Sequence, residues 1–489
     1  MLSPRTNPPP PPFPPMSAAL SRCLILGAAL ALTGCMVGPD YRRPEVGAQL
    51  PAEFKAPGGW KIAEPSDAAP KAGWWKPFGD ARLDDLMDQA MANNQSLKAA
   101  FLRVEQARSL ANAGRGGLFP GITYQPDAER SRRSATTRSN RPELSGSTTT
   151  NLRLPLVFGY EIDLWGKLRR QLQAADAEAQ ATAAGYQGAM LALQADLAIN
   201  YYQLRALDRE IAILGEAADL RKKSLGLIEK RFKAGDVDEV DVARAETEVS
   251  ATESEILGLR KTRAEFENAI AVLAGAPSSG FRLPPIPLAS SPPAIPGAVP
   301  SALLERRPDV AEAERQMQAA NARIGVAQAA FFPAVRLDGS LGLESSSIDR
   351  LFRADSLTWG VGPALSGTIF DGGANEARLQ TSRFRYEESV ATYRQTVLDA
   401  VREVDDALAG IRLLTQQLAA QERTVAAAQR TVELSEKRYE AGLVAYFDVV
   451  DAQRTALDAQ RAAARIQGSR HLASIALTKA LGGGWRASE

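Results

Sequence analysis

The sequence of 489 residues predicts a mainly α-helical protein that also contributes four strands to a membrane β-barrel. Two observations carry this prediction. Long stretches place an apolar residue at every seventh position, which is typical of coiled-coil helices, and four short stretches alternate apolar and polar residues, which is typical of strands. A third observation, an internal duplication at a spacing of 207 residues, indicates that the pattern occurs twice.

The duplication is clearest at one hexapeptide. The sequence Lys-Arg-Phe-Lys-Ala-Gly at 230–235 returns as Lys-Arg-Tyr-Glu-Ala-Gly at 437–442. Between the two copies, eight of the 24 residues at 277–300 are proline, a composition that cannot continue a helix. The predicted divisions are a first repeat at 81–276, a Pro-rich linker at 277–300, a second repeat at 301–484 and a C-terminal tail at 485–489.

The seven-residue period predicts the long helices. In both repeats seven successive positions of this period carry an apolar or aromatic residue, namely Met190, Leu197, Leu204, Ile211, Ala218, Leu225 and Phe232, and Val397, Val404, Ile411, Leu418, Val425, Val432 and Tyr439. A seven-residue period over six intervals is typical of a left-handed coiled coil. The predicted helices cover residues 168–234, 238–274, 376–441 and 445–481, with shorter ones at 82–114 and 309–330.

The strands are predicted from alternation. In the stretch 151–164 every even position is apolar, and a similar pattern occurs at 359–369, with weaker alternation at 122–124 and 335–343. We therefore expect two strands at about 119–163 and two at about 332–371, each long enough to cross a bilayer. Four strands cannot close a barrel, and open edges are not tolerated in lipid. Two copies would give a filled barrel, whereas three copies would leave an aqueous lumen.

The N-terminus has the features of a targeting segment. A proline-rich stretch precedes Met16, a second possible start, and Arg22 is followed by an apolar run at 23–32 that is too short to span a bilayer. This pattern predicts a secretory signal peptide with an N-terminal extension at 1–34. Leu-Thr-Gly-Cys at 32–35 resembles a lipobox, which implies diacylglycerol and palmitate on Cys35 at the start of a lipidated segment at 35–80. The alternative is an ordinary signal peptide that contains a cysteine.

The composition excludes several functions. The net charge of +1 gives no overall electrostatic footprint for nucleic acid, and both cysteines lie within the first 35 residues. The single histidine, His471, is predicted to be a surface residue near the end of the last helix. No phosphate-binding loop, catalytic triad or metal-ligand spacing is evident, so we expect neither catalysis nor a cofactor other than the covalent lipid.

In combination, the sequence resembles the outer-membrane factor channels of tripartite efflux pumps, which are TolC-like and include the NodT-type lipoproteins. The segments that carry the resemblance are 32–35, 38–41, 74–75, 158–166, 306–310, 369–373 and 437–453. The resemblance implies a homotrimer with a twelve-stranded barrel in the outer membrane and a helical barrel through the periplasm. It also implies two partners, a periplasmic adaptor (a membrane fusion protein) and an inner-membrane transporter of the RND type. The alternative function is a periplasmic coiled-coil adaptor lipoprotein without a pore.

The resemblance also implies two sites. The two glycine turns are expected to dock onto the adaptor, through Ala234, Gly235, Asp236 and Val237 and through Ala441, Gly442, Leu443 and Val444. The periplasmic gate is expected at Phe447, Asp451 and Arg454, which share one helix face. A threefold ring of Asp451 would favour cations. Arg244 occupies the position equivalent to Asp451 in the first repeat and is expected to pair with an acidic gate residue. The alternatives are that the glycines only cap helices and that Asp451 and Arg454 form a solvated pair.

Overall fold

The computed structural model describes residues 36–44, 73–136, 146–288, 291–293 and 307–483. The predicted signal peptide, most of the predicted lipidated segment 35–80 including Cys35, part of the linker and the C-terminal tail lie outside the described residues. The chain forms two compact units. The first comprises 1–42, 109–177 and 318–387, and the second comprises 43–108, 178–317 and 388–489.

Eight helices and five strands occur in the described part of the chain. In order they are α1 (Ala81–Asn93), α2 (Gln95–Gly116), β1 (Gly121–Tyr124), β2 (Asp127–Arg132), β3 (Thr148–Ile162), α3 (Lys167–Lys233), α4 (Glu239–Leu273), α5 (Pro308–Ala329), β4 (Ala334–Ser345), α6 (Ile348–Leu351), β5 (Leu357–Ser366), α7 (Ala374–Glu440) and α8 (Tyr446–Ala480). None of the helices described here combines the length and the apolar content needed to cross a bilayer.

The duplication extends to the length of each element. Helices α2 and α5 both have 22 residues, α3 and α7 both have 67, and α4 and α8 both have 35. Equivalent residues of the two repeats are 213 positions apart up to the loop that precedes β3 or β5, and 207 positions apart after that loop. The two repeats therefore have the same succession of elements and differ by six residues in the loop. The mainly α-helical prediction is confirmed.

The strands of the first unit form one antiparallel sheet in the order β1-β3-β4-β5, with β2 also paired to β3. The first repeat has three strand segments where two strands were expected. Strands β1 and β2 lie end to end along the same edge of β3 and are interrupted at Gln125 and Pro126. Proline has no N–H to donate to the ladder, which accounts for the break. Gln125 still donates its N–H to Pro155 O at 3.2 Å, so both segments follow one line.

The two faces of this sheet differ in polarity. Residues directly opposite each other on antiparallel strands project from the same face, and the row Leu156, Leu341 and Trp359 is apolar across three strands. Trp359 is 72% exposed, so this apolar face is not covered by the rest of the described chain. The other face is charged and self-paired, as in the ion pair of Arg153 with Asp127 at 3.0 Å. Such a sheet matches a membrane barrel wall with an aqueous lumen.

The first residues of the described chain are held by the corner between β3 and α3. Val37 N–H donates to Trp165 O at 3.1 Å. The buried guanidinium of Arg170 donates to Val37 O at 3.2 Å, to Gly38 O at 3.0 Å and to the Asp40 carboxylate at 2.9 Å. Because one buried side chain satisfies three acceptors of the segment, we regard Arg170 as a clamp on residues 37–40.

Glycine at position 325 makes room for this clamp. A Cβ atom added there would lie 2.9 Å from Arg170 Cγ and from Val37 O. We expect Gly325→Val to release the segment and to speed hydrogen exchange of the Val37 amide by at least about tenfold, as expected for a locally opened bond. Gly258→Val in α4, where no atom lies within 4 Å of an added Cβ, is the matched control. Unchanged protection of Val37 would contradict the clamp.

The second unit is organised around aromatic residues. Tyr201 and Tyr202 of α3 are buried together with Trp74, Leu86 and Met87. The hydroxyl of Tyr201 donates to Asp80 at 2.7 Å, and Asp80 also caps α1 by accepting from the N–H groups of Arg82 and Leu83. Burial raises the pKa of the Tyr201 hydroxyl, and its hydrogen bond to Asp80 adds to this effect. The tyrosine thus remains a neutral donor to the helix cap.

The prediction that His471 lies on the surface is wrong. Its side chain is completely buried, its ring stacks on Tyr202 at 4.8 Å, and Nδ1 donates to Gln467 O at 3.0 Å. Burial lowers its pKa below the ordinary value of 6.5, and the charge of Arg470 lowers it further. Sequence position near a helix end did not reveal that Tyr202 and Phe78 cover this face.

This burial predicts a loss of stability in acid. As the pH falls, the unfolded chain takes up the histidine proton near 6.5, whereas folded His471 takes it up only at a lower pH. The free energy of unfolding that the neutral ring contributes is therefore fully present above pH 6.5. It decreases below that pH by at most about 1.4 kcal/mol per pH unit. We expect His471→Phe to reduce the difference in melting temperature between about pH 7.5 and about pH 5.5. An equal difference in both proteins would contradict the assignment.

Candidate functional site

Two helical hairpins of the second unit end in turns of the same geometry. In the first turn Gly235 has a φ of 81°, its N–H donates to Phe232 O at 2.9 Å, and Asp236 N–H donates to Arg231 O at 2.9 Å. In the second turn Gly442 has a φ of 70° and Leu443 N–H donates to Arg438 O at 2.9 Å. This is the Schellman arrangement, in which glycine adopts the left-handed conformation at low cost. Both glycines therefore do cap helices.

The turns are also open to solvent. No atom lies within 4 Å of a Cβ added at Gly235 or Gly442, so the glycines are required by φ and not by a close neighbour. Leu443 is 68% exposed and Val240, just beyond the first turn, is 57% exposed. Exposed apolar side chains on a turn whose backbone is fully bonded form a rigid surface for a partner. The expected docking residues 234–237 and 441–444 lie on these turns.

A small apolar cluster joins the two hairpins behind the turns. Ile228 of α3 and Ala245 of α4 are buried against Tyr446, Val449 and Val450 of α8. The Tyr439 and Tyr446 rings are tilted to each other with centroids 5.7 Å apart, and Arg231 lies 5.3 Å above the Tyr439 ring. The two turns are thus held side by side by packing and by a cation–π contact.

The expected gate residues lie on α8 and α4 close to this cluster. Phe447 is 52% exposed, and the Arg244 guanidinium lies 5.5 Å from the centre of its ring. Arg244 also approaches the Asp241 carboxylate of its own helix at 3.8 Å. Asp451 is exposed and lines a cleft of about 260 Å³ together with Asp448 and Arg438. Arg244 therefore contacts one predicted gate residue, Phe447, and its acidic neighbour in this structure is Asp241.

Arg454 has a partner that the sequence did not indicate. It forms an ion pair with Glu248 of α4, whose carboxylate also pairs with Arg221 of α3 at 3.1 Å. Glu248 is only 7% exposed at its side chain, and these two cations compensate for the burial of its charge. The hydrogen bond with Glu248 raises the pKa of Arg454. The arrangement Arg221–Glu248–Arg454 links α3 and α4 of the first hairpin to α8 of the second.

A second group of ion pairs repeats this link further along α8. Arg461 pairs with Glu210 at 2.8 Å and also with Glu255, and Arg465 pairs with Glu210 at 2.5 Å. The acids 248 and 255 and the arginines 454 and 461 are both seven residues apart. Because acids and arginines have the same seven-residue spacing on their two helices, the sequence could have been used to predict these ion pairs. Within the described residues, no group of His, Cys, Asp and Glu side chains is placed to hold a metal ion.

The matching protein family extends over most of the chain. A family model described as outer membrane efflux protein matches residues 86–276 and 299–483. These two matches correspond to the two repeats, and together they cover more than half of the sequence. The match therefore includes both glycine turns, the gate candidates and all strands of the sheet.

Individual proteins give the same result. The cation efflux system protein CusC of Escherichia coli K12 is 30% identical over 412 residues, which cover 83% of this chain and 87% of CusC. The outer membrane protein OprJ of Pseudomonas aeruginosa PAO1 is 33% identical over 395 residues, 80% of each chain. Among solved structures, the CmeC outer membrane channel of Campylobacter jejuni is similar with a TM-score of 0.82 at 26% identity, covering 93% of this chain and 96% of CmeC.

Proposed function

The chain belongs to the outer membrane efflux protein family, and from this premise we propose that three copies form the exit duct of a tripartite efflux pump. The protein is an efflux channel of the outer membrane, with a TolC-like fold. The trimer, its partners, its gate and its lipid anchor are the parts of the proposal that go beyond family membership.

One observation carries the channel function, namely the sheet with an uncovered apolar face, a self-paired charged face and two open edges. Within the described residues, the β1–β2 line and β5 each pair on one side only. An edge of this kind must be paired in lipid, and three sheets of this width give a barrel of twelve strands with an aqueous lumen. The charged pairs, such as Arg336 with Asp338 at 3.3 Å, would line that lumen.

The sheet also favours the channel over the alternative of a periplasmic adaptor lipoprotein. An adaptor without a pore has no use for a sheet whose uncovered face carries Trp359 and Val361, which are 72% and 66% exposed. Apolar surface of this extent on one face fits lipid as its neighbour. Family membership supports the same choice.

The two glycine turns would dock onto a periplasmic adaptor, which in turn would connect the duct to an inner-membrane transporter of the RND type. Their support is the hydrogen-bond pattern that the two turns share and the exposure of Leu443 and Val240. Duplicated turns on each of three copies would present six equivalent surfaces to a ring of adaptors. The transporter would supply the energy, and the duct would be passive.

The gate would be formed by Phe447, Asp451 and Arg454 of each copy. Its support is the link from Arg454 to the buried Glu248, which ties α8 to the first hairpin. Three Asp451 carboxylates around one axis would make the constriction selective for cations. Asp451→Ala is then expected to reduce the preference of the conductance for cations over anions.

Cys35 would carry diacylglycerol and palmitate, which would anchor the N-terminus in the membrane. The support is the Leu-Thr-Gly-Cys sequence at 32–35. One acyl chain binds a membrane only marginally, whereas several chains on one residue anchor it stably. The cargo class would be set by the transporter, since relatives of similar identity are named for cations in one case and for the solvent toluene in another.

The test is conductance in planar lipid bilayers. Purified protein should give discrete conductance steps, and a mock preparation from cells without the gene should give none. Heat-sensitive migration as a trimer on a gel tests the assembly state separately. The channel function would be wrong if neither the protein nor its Arg454→Ala variant conducts.

A further inference from the structure

The apolar face of the sheet carries charged side chains at one end. The register of β2 with β3 places Arg130 opposite Thr150. In the same register Arg132 lies opposite Thr148. Alternate residues of a strand share a face, so both threonines lie on the side of Leu152, which is the apolar face. Because opposite residues of antiparallel strands project from the same face, both arginines project from the apolar face as well.

Every other charged residue of the five described strands projects from the opposite face. Arg153, for example, lies opposite Asp127 of β2 and Glu344 of β4, and it pairs with Asp127 at 3.0 Å. Arg130 and Arg132 are exposed, and in the part of the chain that the structure describes neither guanidinium forms an ion pair with a carboxylate. On these strands the apolar face therefore carries two positive charges and no negative charge.

The two arginines lie just beyond the apolar band of this face. On β3 the band extends over Leu152–Ile162. At a rise of about 3.3 Å per residue and a strand tilt of about 40°, this stretch has a height of about 25 Å, which is the height of the apolar band in outer-membrane barrels. Thr150, opposite Arg130, is the next residue on this face. The arginines are therefore expected at the level of the lipid head groups, where charge on the lipid-facing side is tolerated.

The arginines lie at the loop end of the sheet. Helix α3 begins at Lys167, beyond the other end of β3. In the proposed duct the helices extend into the periplasm, so the loop end reaches the outer leaflet of the outer membrane. That leaflet consists of lipopolysaccharide, a glycolipid whose membrane anchor, lipid A, carries phosphate groups. Arginine binds phosphate through two parallel charge-assisted hydrogen bonds.

We propose that Arg130 and Arg132 form a binding site for the phosphate groups of lipopolysaccharide on the lipid-facing side of the duct. The site rests on the proposed function, which sets the orientation of the sheet in the membrane, and adds a ligand to it. The two Cα atoms are about 6.6 Å apart on one face of the strand, so both guanidinium groups can reach one phosphate. The hydroxyls of Thr148 and Thr150 on the same face can donate further hydrogen bonds.

The charge of the site favours this lipid over a zwitterionic phospholipid. The ammonium group of phosphatidylethanolamine would need a carboxylate as its partner, and the acid next to the arginines, Glu129, lies opposite Asn151 and so projects from the other face. A phosphorylated glycolipid without an ammonium group leaves no charge unpaired at this site.

Native mass spectrometry of the full-length protein with diphosphoryl lipid A tests the site. The double substitution Arg130→Gln with Arg132→Gln should weaken lipid binding at least about tenfold, because the charge-assisted contacts to phosphate are lost. Arg133→Gln is the matched control. Arg133 is exposed, and its N–H donates to Ser147 O at 3.1 Å, which continues the ladder by one residue and turns its side chain to the other face. This control should bind lipid A as the parent protein does.

A comparison of lipids tests the site without a change in the protein, even where the double variant fails to assemble. The parent protein should bind dephosphorylated lipid A at least about tenfold more weakly than diphosphoryl lipid A, and phosphatidylethanolamine no more tightly than the dephosphorylated form. Equal affinity for both forms of lipid A would overturn the proposal, as would parent-like binding by an assembled double variant or an equal loss in Arg133→Gln. A parent protein that does not conduct in planar bilayers would instead overturn the proposed function.

Discussion

Replacing Arg454 with alanine is expected to raise the open fraction of the channel by on the order of 100-fold. Arg454 is 54% exposed and its partner Glu248 is buried, so the pair is intermediate between a surface and a buried salt bridge. We assign it about 1 kcal/mol per copy, the upper end of the range for exposed pairs. Three equivalent links broken together shift the balance by about 3 kcal/mol, and about 1.4 kcal/mol corresponds to a factor of ten.

The fold should survive this change because Glu248 keeps its second cation. Arg221 remains 3.1 Å from the carboxylate and also donates to Glu248 O at 3.3 Å. Breaking a buried pair is strongly destabilising only when a charge is left without compensation. The effect of Arg454→Ala should therefore appear in gating, while the melting temperature changes little.

Single-channel recording in planar bilayers measures the open fraction. Arg430→Ala, which removes an exposed arginine from α7, is the matched control and should behave like the parent protein. Glu248→Gln should open the channel as well, since it removes the charge on the other side of the same link. A closed Arg454→Ala channel together with an open Glu248→Gln channel would contradict the link and point to a different role for Glu248.

The long helices were predictable because their signal is local and repeated. The seven-residue period placed the first long helix at 168–234 and the structure has it at Lys167–Lys233. Positions such as Leu197 and Val404 are buried as the period requires. A pattern sustained over six intervals identifies the helix even where single positions depart from it. The helix boundaries follow separately from the glycines at either end.

Strand β2 could not be predicted in the same way. Strand β2 has the sequence Asp-Ala-Glu-Arg-Ser-Arg, which lacks the alternation on which the strand prediction depends. It forms a strand because it pairs with β3, for example with Glu129 opposite Asn151. Tertiary pairing overrides local composition in strands more than in helices.

The partners of the gate residues were hidden for a related reason. Arg454 and Glu248 are 206 residues apart, and whether they meet depends on the rotation of α8 against α4. The sequence places Phe447, Asp451 and Arg454 on one face of α8 but does not indicate which element lies opposite to Arg454. The same limitation led to the wrong prediction for His471, whose cover comes from Tyr202 and Phe78 of distant segments.

Replacing Leu443 with glutamate is expected to weaken binding of a periplasmic adaptor by on the order of 100-fold, because a charge would have to be desolvated in the docked complex. Leu443 is 68% exposed, and only its backbone takes part in the turn, through the N–H that donates to Arg438 O. The substitution therefore leaves the Schellman turn and the fold intact. Replacing Gly442 would not separate these effects, because its φ of 70° would add strain to the turn.

Binding of purified host adaptors to the trimer, measured by surface plasmon resonance, is the direct readout. Drug susceptibility of cells that express the complete pump is the second readout. In cells whose duct carries Leu443→Glu, susceptibility should rise to the level of cells without the duct. Phe352→Glu places the same charge on an exposed aromatic position outside the turns and should leave both readouts unchanged. Bilayer conductance separates docking from pore formation, since Leu443→Glu should conduct as the parent protein does. Normal transport by Leu443→Glu would place the adaptor contact away from the turns. An adaptor that buries this residue would have to bury the glutamate charge as well, which costs binding free energy.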